Sequence, residues 1–248
     1  MKSLGAYTSA RTFDQHSLID FHGHTRRLSN SLASILEEVT WTDSQGEPLR
    51  ALAHYAELPE ADTPDPTALF VQLTCDPQLL ERLVVPMIRR GLTAFWQPKP
   101  SLVEEAKVTI CLAYDEKDHL PICAVHVCPL IQPLQTRCSV EVYPATRHNP
   151  SAKDTQWVRD RQSLGSRMKP GVNEVLLLDQ ASGELFEGLS SNFLVVEPGE
   201  GPPGVRLVTA PMGSVLLGTI LKLVLQICQD QHIPVEYRCP TLAELRGG

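Results

Sequence analysis

Val175-Leu176-Leu177-Leu178-Asp179-Gln180-Ala181-Ser182-Gly183-Glu184-Leu185-Phe186-Glu187-Gly188-Leu189-Ser190-Ser191-Asn192-Phe193 is the most unusual run in the chain. It opens on a compact apolar stretch of strand length, Glu174 to Leu178. Gln180 to Gly183 carries turn residues, and Phe193 to Val196 begins another apolar strand. Between them stand a carboxylate, a glycine, two hydroxyls and an amide, from Glu187 to Asn192. Strand ends of this kind are where small-ligand sites are built. Read by itself, the same composition also describes a polar turn whose Asn192 and serine side chains bond their own backbone.

Outward from that run the chain divides by texture. Residues 5–21 read as extended, with Tyr7, Thr8 and Phe13 as β-formers. Leu28, Leu32, Ile35, Leu36 and Val39 recur at helical spacing and predict a first helix with one buried face. Residues 57–67, rich in Pro, Asp and Thr, read as a loop. A second helix is expected from about Pro77 to Trp96, kinked or split at Pro86. Strands follow at Lys107–Tyr114 and Pro121–Val127 around the turn Asp115–Asp118. Pro129-Leu130-Ile131-Gln132-Pro133 suggests a linker. The expected domains are therefore 1–128, a linker 129–138, and 139–248. In the last of these, Ser139–Tyr143 and Arg206–Thr209 are strand candidates and Glu197–Gly204 is a hairpin tip. Lys153–Met168 and about Val215–Gln229 are expected helices.

Composition narrows the function classes. The chain has 248 residues, enough for one large domain or two modest ones. Hydrophobic content of 42% with 21% charged residues describes a soluble globular protein. A net charge of −7 without a basic patch argues against nucleic acid as a partner. Seven irregularly spaced cysteines read as free thiols in a reducing, cytoplasmic compartment. Cys123-x-x-His126-x-Cys128 is the one run suggesting a metal clip, but it lacks a second half, so no metal is expected. Met1 to Gln15 has no apolar core of a signal peptide. The longest apolar stretch, Val215 to Cys228, is interrupted by Lys222 and too short to span a bilayer, so no membrane is expected.

The quoted run resembles the signature of the class IV aminotransferases: an apolar strand, a short turn, then E-G-x-x-x-N-x-F. Glu187, Gly188 and Asn192 match, and Phe193 stands one place early. That family holds branched-chain and D-amino-acid aminotransferases and aminodeoxychorismate lyases. It places a lysine upstream of the glutamate, and Lys153 lies 34 positions before Glu187. A lone lysine is ordinarily a solvated charge; the distance to Glu187 singles this one out. His24-Thr25-Arg26-Arg27-Leu28 resembles the family's H-x-x-R-L element, with Arg27 in the phosphate-binding place, while His22 and His24 read as structural. Leu217-Gly218-Thr219-Ile220 resembles the phosphate-cupping L-x-G-I-T-R turn in altered order. Backbone donation from Thr219 and Ile220 at a helix N-terminus suits phosphate whatever the order. Gly5-Ala6-Tyr7-Thr8-Ser9-Ala10-Arg11 lines up with the strand that carries a substrate-lining aromatic, with Thr8 where the family has Glu. Arg147 lies six residues before Lys153, where the family often has an arginine; a substrate-side role and a structural one both stand.

The resemblance implies an α+β, two-domain fold of type IV, with a small N-terminal α/β domain and a larger C-terminal α/β barrel-like domain. It implies pyridoxal 5'-phosphate held at Lys153 as a Schiff base, since an aldehyde needs an amine. Glu187 would keep the pyridine nitrogen protonated, which makes the ring an electron sink. Arg27, Ser190, Ser191, Asn192, Gly218, Thr219 and Ile220 complete the expected cofactor site, and Tyr7 and Arg147 the substrate side. The implied reaction is transamination between an amino acid and a 2-oxo acid, in a homodimer. An aminodeoxychorismate lyase uses the same anchor, and pocket loops carry the difference. A catalytically silent relative is the third reading. The altered Gly218 turn favours it. So does the absence, after Ala243, of the family's small-residue and threonine motif.

Overall fold

Alternation builds the first sheet. β1 (Leu4–Phe13), β2 (Ser17–Leu18), β3 (Ala106–Asp115) and β4 (Leu120–Pro129) pair antiparallel in the order β2-β1-β3-β4. Ala6, Thr8, Ala10 and Thr12 of β1 and Ala106, Val108, Ile110 and Leu112 of β3 are buried at every second position. Side chains alternate across a strand, so one face of the sheet is turned inward. The computed structural model describes residues 4–43, 45–49, 65–97, 105–130, 137–200 and 203–247. The chain forms two compact units, Met1–Gln132 with Ala152–Gln156, and Pro133–Ser151 with Trp157–Gly248. The segment carrying Lys153 is thus built into the first unit.

In the first unit α1 (Phe21–Glu38) packs on β1. Its buried stripe of Leu28, Leu32, Ile35 and Leu36 meets the sheet at helical spacing. α2 (Pro66–Gln72) and α3 (Pro77–Phe95) complete the layer through Phe70, Leu80, Val84 and Ile88. Trp41, Phe70 and Tyr114 close the core, their ring centroids 5.7 to 6.1 Å apart. Burying one such side chain contributes roughly 1.5–3 kcal/mol.

Two expectations change here. Pro66 and Thr67, read as loop, open α2 instead, because the Asp65 carboxylate accepts from the N–H groups of Thr67 and Ala68 and Pro66 has no N–H to satisfy. Residues 57–64 of that loop lie outside the described residues. Pro86 does not split the second helix: α3 runs through it. Pro86 and Arg82 are both exposed, so the carbonyl that loses its partner lies on the solvated face.

The second unit holds two small sheets. β5 (Val140–Pro144) and β6 (Glu174–Leu178) pair in parallel, joined through α4 (Thr155–Gly165), and β7 (Leu185–Gly188) adds antiparallel to β6 across an irregularity between Leu176 and Leu178. β8 (Leu194–Pro198) and β9 (Val205–Thr209) form a hairpin, and β10 (Val235–Tyr237) pairs in parallel with β9 after α5 (Thr219–Asp230). α6 (Leu242–Gly247) follows. Trp157, Val175, Leu177 and Leu189 form the small core around the quoted run. α5 starts four residues later than expected, since Val215 bridges to Met212 and residues 216–218 lead irregularly into it. Of the expected linker, residues 131–136 lie outside the described residues, as do 201 and 202 of the hairpin tip. No helix among the described residues is long and apolar enough to cross a membrane.

Candidate functional site

In the first unit the Lys153 peptide is held at both ends. Its N–H donates to Ser31 Oγ at 3.0 Å, and its carbonyl accepts from the Tyr7 N–H at 2.9 Å. Ala6 and Asp154 form a bridge beside it, and the Gly5 N–H donates to Thr155 Oγ1 at 3.0 Å. β1 therefore fixes the lysine through its backbone, while the side chain lies with Nζ 4.9 Å from the centroid of the buried Tyr7 ring. Lys153 and Tyr7 are brought together.

Arg27, on the second turn of α1, faces β1. One of its terminal nitrogens donates to Thr8 Oγ1 at 3.1 Å and to His24 Nδ1 at 2.8 Å. Thr8 Oγ1 and His24 Nδ1 are themselves 2.8 Å apart, and both residues are buried. A guanidinium only donates, so His24 Nδ1 accepts and the ring proton sits on Nε2. Burial pushes the Arg27 guanidinium down from its ordinary value, against the charges of Asp20 and Tyr7. Thr8, flagged in the sequence as a departure from the family, is thus a partner of Arg27.

In the second unit Glu187 lies in β7, one residue before its end, and both carboxylate oxygens are engaged. Oε1 accepts from Arg147 Nη1 at 3.2 Å, and Oε2 accepts from the Leu216 N–H at 3.1 Å. Asn192 forms a bridge with Glu187, and its side-chain amide donates to the Leu216 carbonyl at 2.7 Å. The acid and the amide of the motif therefore hold the N–H and the carbonyl of one residue, Leu216. Leu216 stands two residues before Gly218, the N-cap of α5, where a Cβ would meet Asn192 Oδ1 at 2.4 Å. Thr219 and Ile220 open the helix behind it, with the Ile220 side chain exposed.

Ser190 and Ser191 have a different partner. Their hydroxyls donate to Glu174 Oε2 at 3.0 and 2.8 Å, and both residues are exposed. Glu174 also accepts the N–H groups of Leu189 and Ser190. A Cβ on Gly188 would meet Ser191 Oγ at 2.3 Å, so the turn closes only over a glycine. Sequence reasoning missed Glu174, Leu216 and Ser31. Glu174 was legible only as the first residue of a strand. Leu216 acts through its backbone and Ser31 through its hydroxyl, and neither side-chain type signals a site. Cys123 packs toward the first core beside Met87, whereas His126 and Cys128 fall on the other face of β4, so strand parity separates the imagined metal clip.

By sequence, no curated protein matches the chain. By structure, a fold IV transaminase from Curtobacterium pusillum is 18% identical with a TM-score of 0.63, over 98% of this chain and 70% of that one. The T.th. branched-chain amino acid aminotransferase, solved with pyridoxamine 5'-phosphate, is 16% identical with a TM-score of 0.61, over 98% and 69%. A protein assigned as a 4-amino-4-deoxychorismate lyase is 16% identical with a TM-score of 0.55, over 97% and 77%. These likenesses give the fold, that of the type IV aminotransferases. The amino-transferase class IV family model matches residues 5–247, and the chain belongs to that family.

Proposed function

We propose that the protein is a pyridoxal-phosphate-dependent transaminase, exchanging an amino group between an amino acid and a 2-oxo acid. The observation that carries the reading is Lys153: its peptide is pinned to Ser31 and Tyr7, and its amine lies over the Tyr7 ring, in a class IV amino-transferase. A fixed amine is what an aldehyde cofactor needs for attachment. Pyridoxal phosphate, when bound, supplies an electron sink for the charge left on the substrate's α-carbon.

Each unit offers part of a donor set for such a group. Arg27 brings a cation for the phosphate, and the Gly218 turn, too tight for a side chain beside Asn192, brings the Thr219 and Ile220 N–H groups of a helix start. Glu187 holds the proton on the ring nitrogen, with Arg147 keeping the carboxylate in place. Lys153 Nζ would hold the cofactor's aldehyde carbon and is the amine that would take the substrate's α-proton. Tyr7 lines the substrate side. Ser190 and Ser191 serve by holding the turn through Glu174. We extend the reading to a cytoplasmic homodimer, on the family's pattern.

Purified protein supplied with pyridoxal phosphate should turn yellow, and borohydride should fix the label on Lys153, read by peptide mass. A colourless protein would sink the reading. Amino acids that bleach the band and yield 2-oxo acids identify the substrates. A second reading, the lyase, is supported by the likeness to a protein assigned that activity. Release of pyruvate from aminodeoxychorismate without a 2-oxo acid acceptor would select it.

A further inference from the structure

Trp157 has no part in the reading above, yet it touches both sides of the Glu187 assembly. We propose that Trp157 is a positioning residue that sets the Arg147–Glu187 pair, its indole face carrying the guanidinium and its ring N–H holding the strand end that bears the carboxylate. The inference rests on the assignment of Glu187 to the cofactor's ring nitrogen.

The geometry is that of a clamp. The Arg147 guanidinium carbon lies 5.3 Å from the centroid of the Trp157 ring. The same guanidinium donates to Glu187 Oε1 at 3.2 Å, and both side chains are 5% exposed. Trp157 Nε1–H donates to the Leu189 carbonyl at 3.1 Å, a buried bond. Leu189 stands two residues after Glu187, and its own N–H donates to the Val175 carbonyl at 3.1 Å. The indole therefore fixes the cation by its face and, by its edge, the backbone just beyond the anion. Trp157 is itself 5% exposed.

A guanidinium taken out of water loses hydration that its contact with the Glu187 carboxylate replaces only in part. The negative face of an indole supplies a second favourable surface, and it restricts the direction in which the fork points. An aliphatic side chain of equal bulk fills the space without that orientation. The N–H is the lesser of the two links, because Arg161 Nη1 also donates to the Leu189 carbonyl, at 3.3 Å. The ring face is thus the part that phenylalanine can keep and methionine cannot.

The test uses the full chain, apo and loaded with pyridoxal phosphate, as Trp157→Phe, Trp157→Met and Glu187→Gln. In the apo protein, solvent exchange of the Arg147 Nε–H is read by nitrogen-edited NMR. It should rise about tenfold in Trp157→Met, the scale of a desolvated cation–π contact, and by much less in Trp157→Phe. In the loaded protein, Trp157→Met should lower kcat about tenfold with KM for the amino acid within about twofold, and should shift the pH profile of the bound chromophore. Phenylalanine should restore most of both. Should Trp157→Met not fold, a multiply fluorinated tryptophan at 157, which weakens the ring face while keeping shape and N–H, is read in its place. Unchanged Arg147 exchange in the ring-weakened protein overturns the proposal, as does a phenylalanine variant as impaired as the methionine one. If Arg147 exchange rises as expected but Glu187→Gln leaves the chromophore profile untouched, the Glu187 assignment fails and the clamp stands.

Discussion

Arg147 donates to Glu187 across 3.2 Å with both side chains 5% exposed, so the pair is almost out of water. Such pairs are asymmetric in their consequences: losing one member strands the other charge, whereas losing both together is mild. Arg147→Met is expected to cost about 3–5 kcal/mol in urea unfolding. Arg147→Met with Glu187→Leu should recover most of that stability while the loaded protein stops bleaching with amino acids. A single substitution no worse than the double would refute the coupling.

Gly218 and Asn192 form the second tight relationship. A methyl at 218 would fall 2.4 Å from Asn192 Oδ1, and the Asn192 amide is held by the Leu216 carbonyl at 2.7 Å. The side chain yields only by giving up that bond, so Gly218→Ala should destabilise by about 1–2 kcal/mol. It should also weaken pyridoxal phosphate binding, measured by fluorescence titration. In the Asn192→Ala background the methyl meets no amide, so the added cost of Gly218→Ala should vanish. Simple additivity of the two substitutions would count against the contact.

The sequence was legible wherever a period or a motif repeated the physics of the fold. Leu28, Leu32 and Ile35 announce α1, and Val108, Ile110 and Leu112 announce β3, because burial follows 3.6- and 2-residue periods. Glu187 and Asn192 were singled out by the resemblance of their run to the class IV signature, since a carboxylate and an amide between apolar strands also describe a polar turn. Lys153 was readable only by its distance from Glu187, as its neighbours are ordinary. The partners were not readable. Ser31 reaches the Lys153 N–H over 122 positions, and Leu216 reaches Glu187 over 29 through its backbone. Neither long-range contact leaves a local pattern. β10 and α6 were missed because three and six residues are too few for a period to declare itself.

Cys123 gives a prediction on the first core. Burial, with Cys111 nearby, pushes its thiol up from 9.0 to about 11. A raised thiol favours the neutral form in the folded state. Its stabilising contribution is full below the unfolded value and is lost as pH climbs from about 9 to about 11. At pH 8, alkylation should label the exposed Cys75 and Cys138 first and leave Cys123 untouched. Peptide mass analysis after timed labelling reads this. Early labelling of Cys123 in the folded protein would contradict the packing against Met87.

The C-terminal helix α6 carries its own pH dependence. Thr241 and Glu244 cap each other: the Thr241 N–H donates to Glu244 Oε2 at 2.6 Å, and the Glu244 N–H donates to Thr241 Oγ1 at 3.3 Å. The Thr241 backbone bond, aided by its hydroxyl and by Arg238, holds the Glu244 carboxyl below its ordinary 4.5. A depressed carboxylate contributes stability above its unfolded value and loses it as pH falls through the folded one. Helix protection should therefore be full above about pH 4.5 and decline below it, read as amide exchange at Leu245, whose N–H donates to the Thr241 carbonyl at 3.3 Å. Glu244→Gln keeps an acceptor for the Thr241 N–H but has no charge to lose, so its profile should be flat across that range. A wild-type profile just as flat would show that the cap does not depend on the carboxylate.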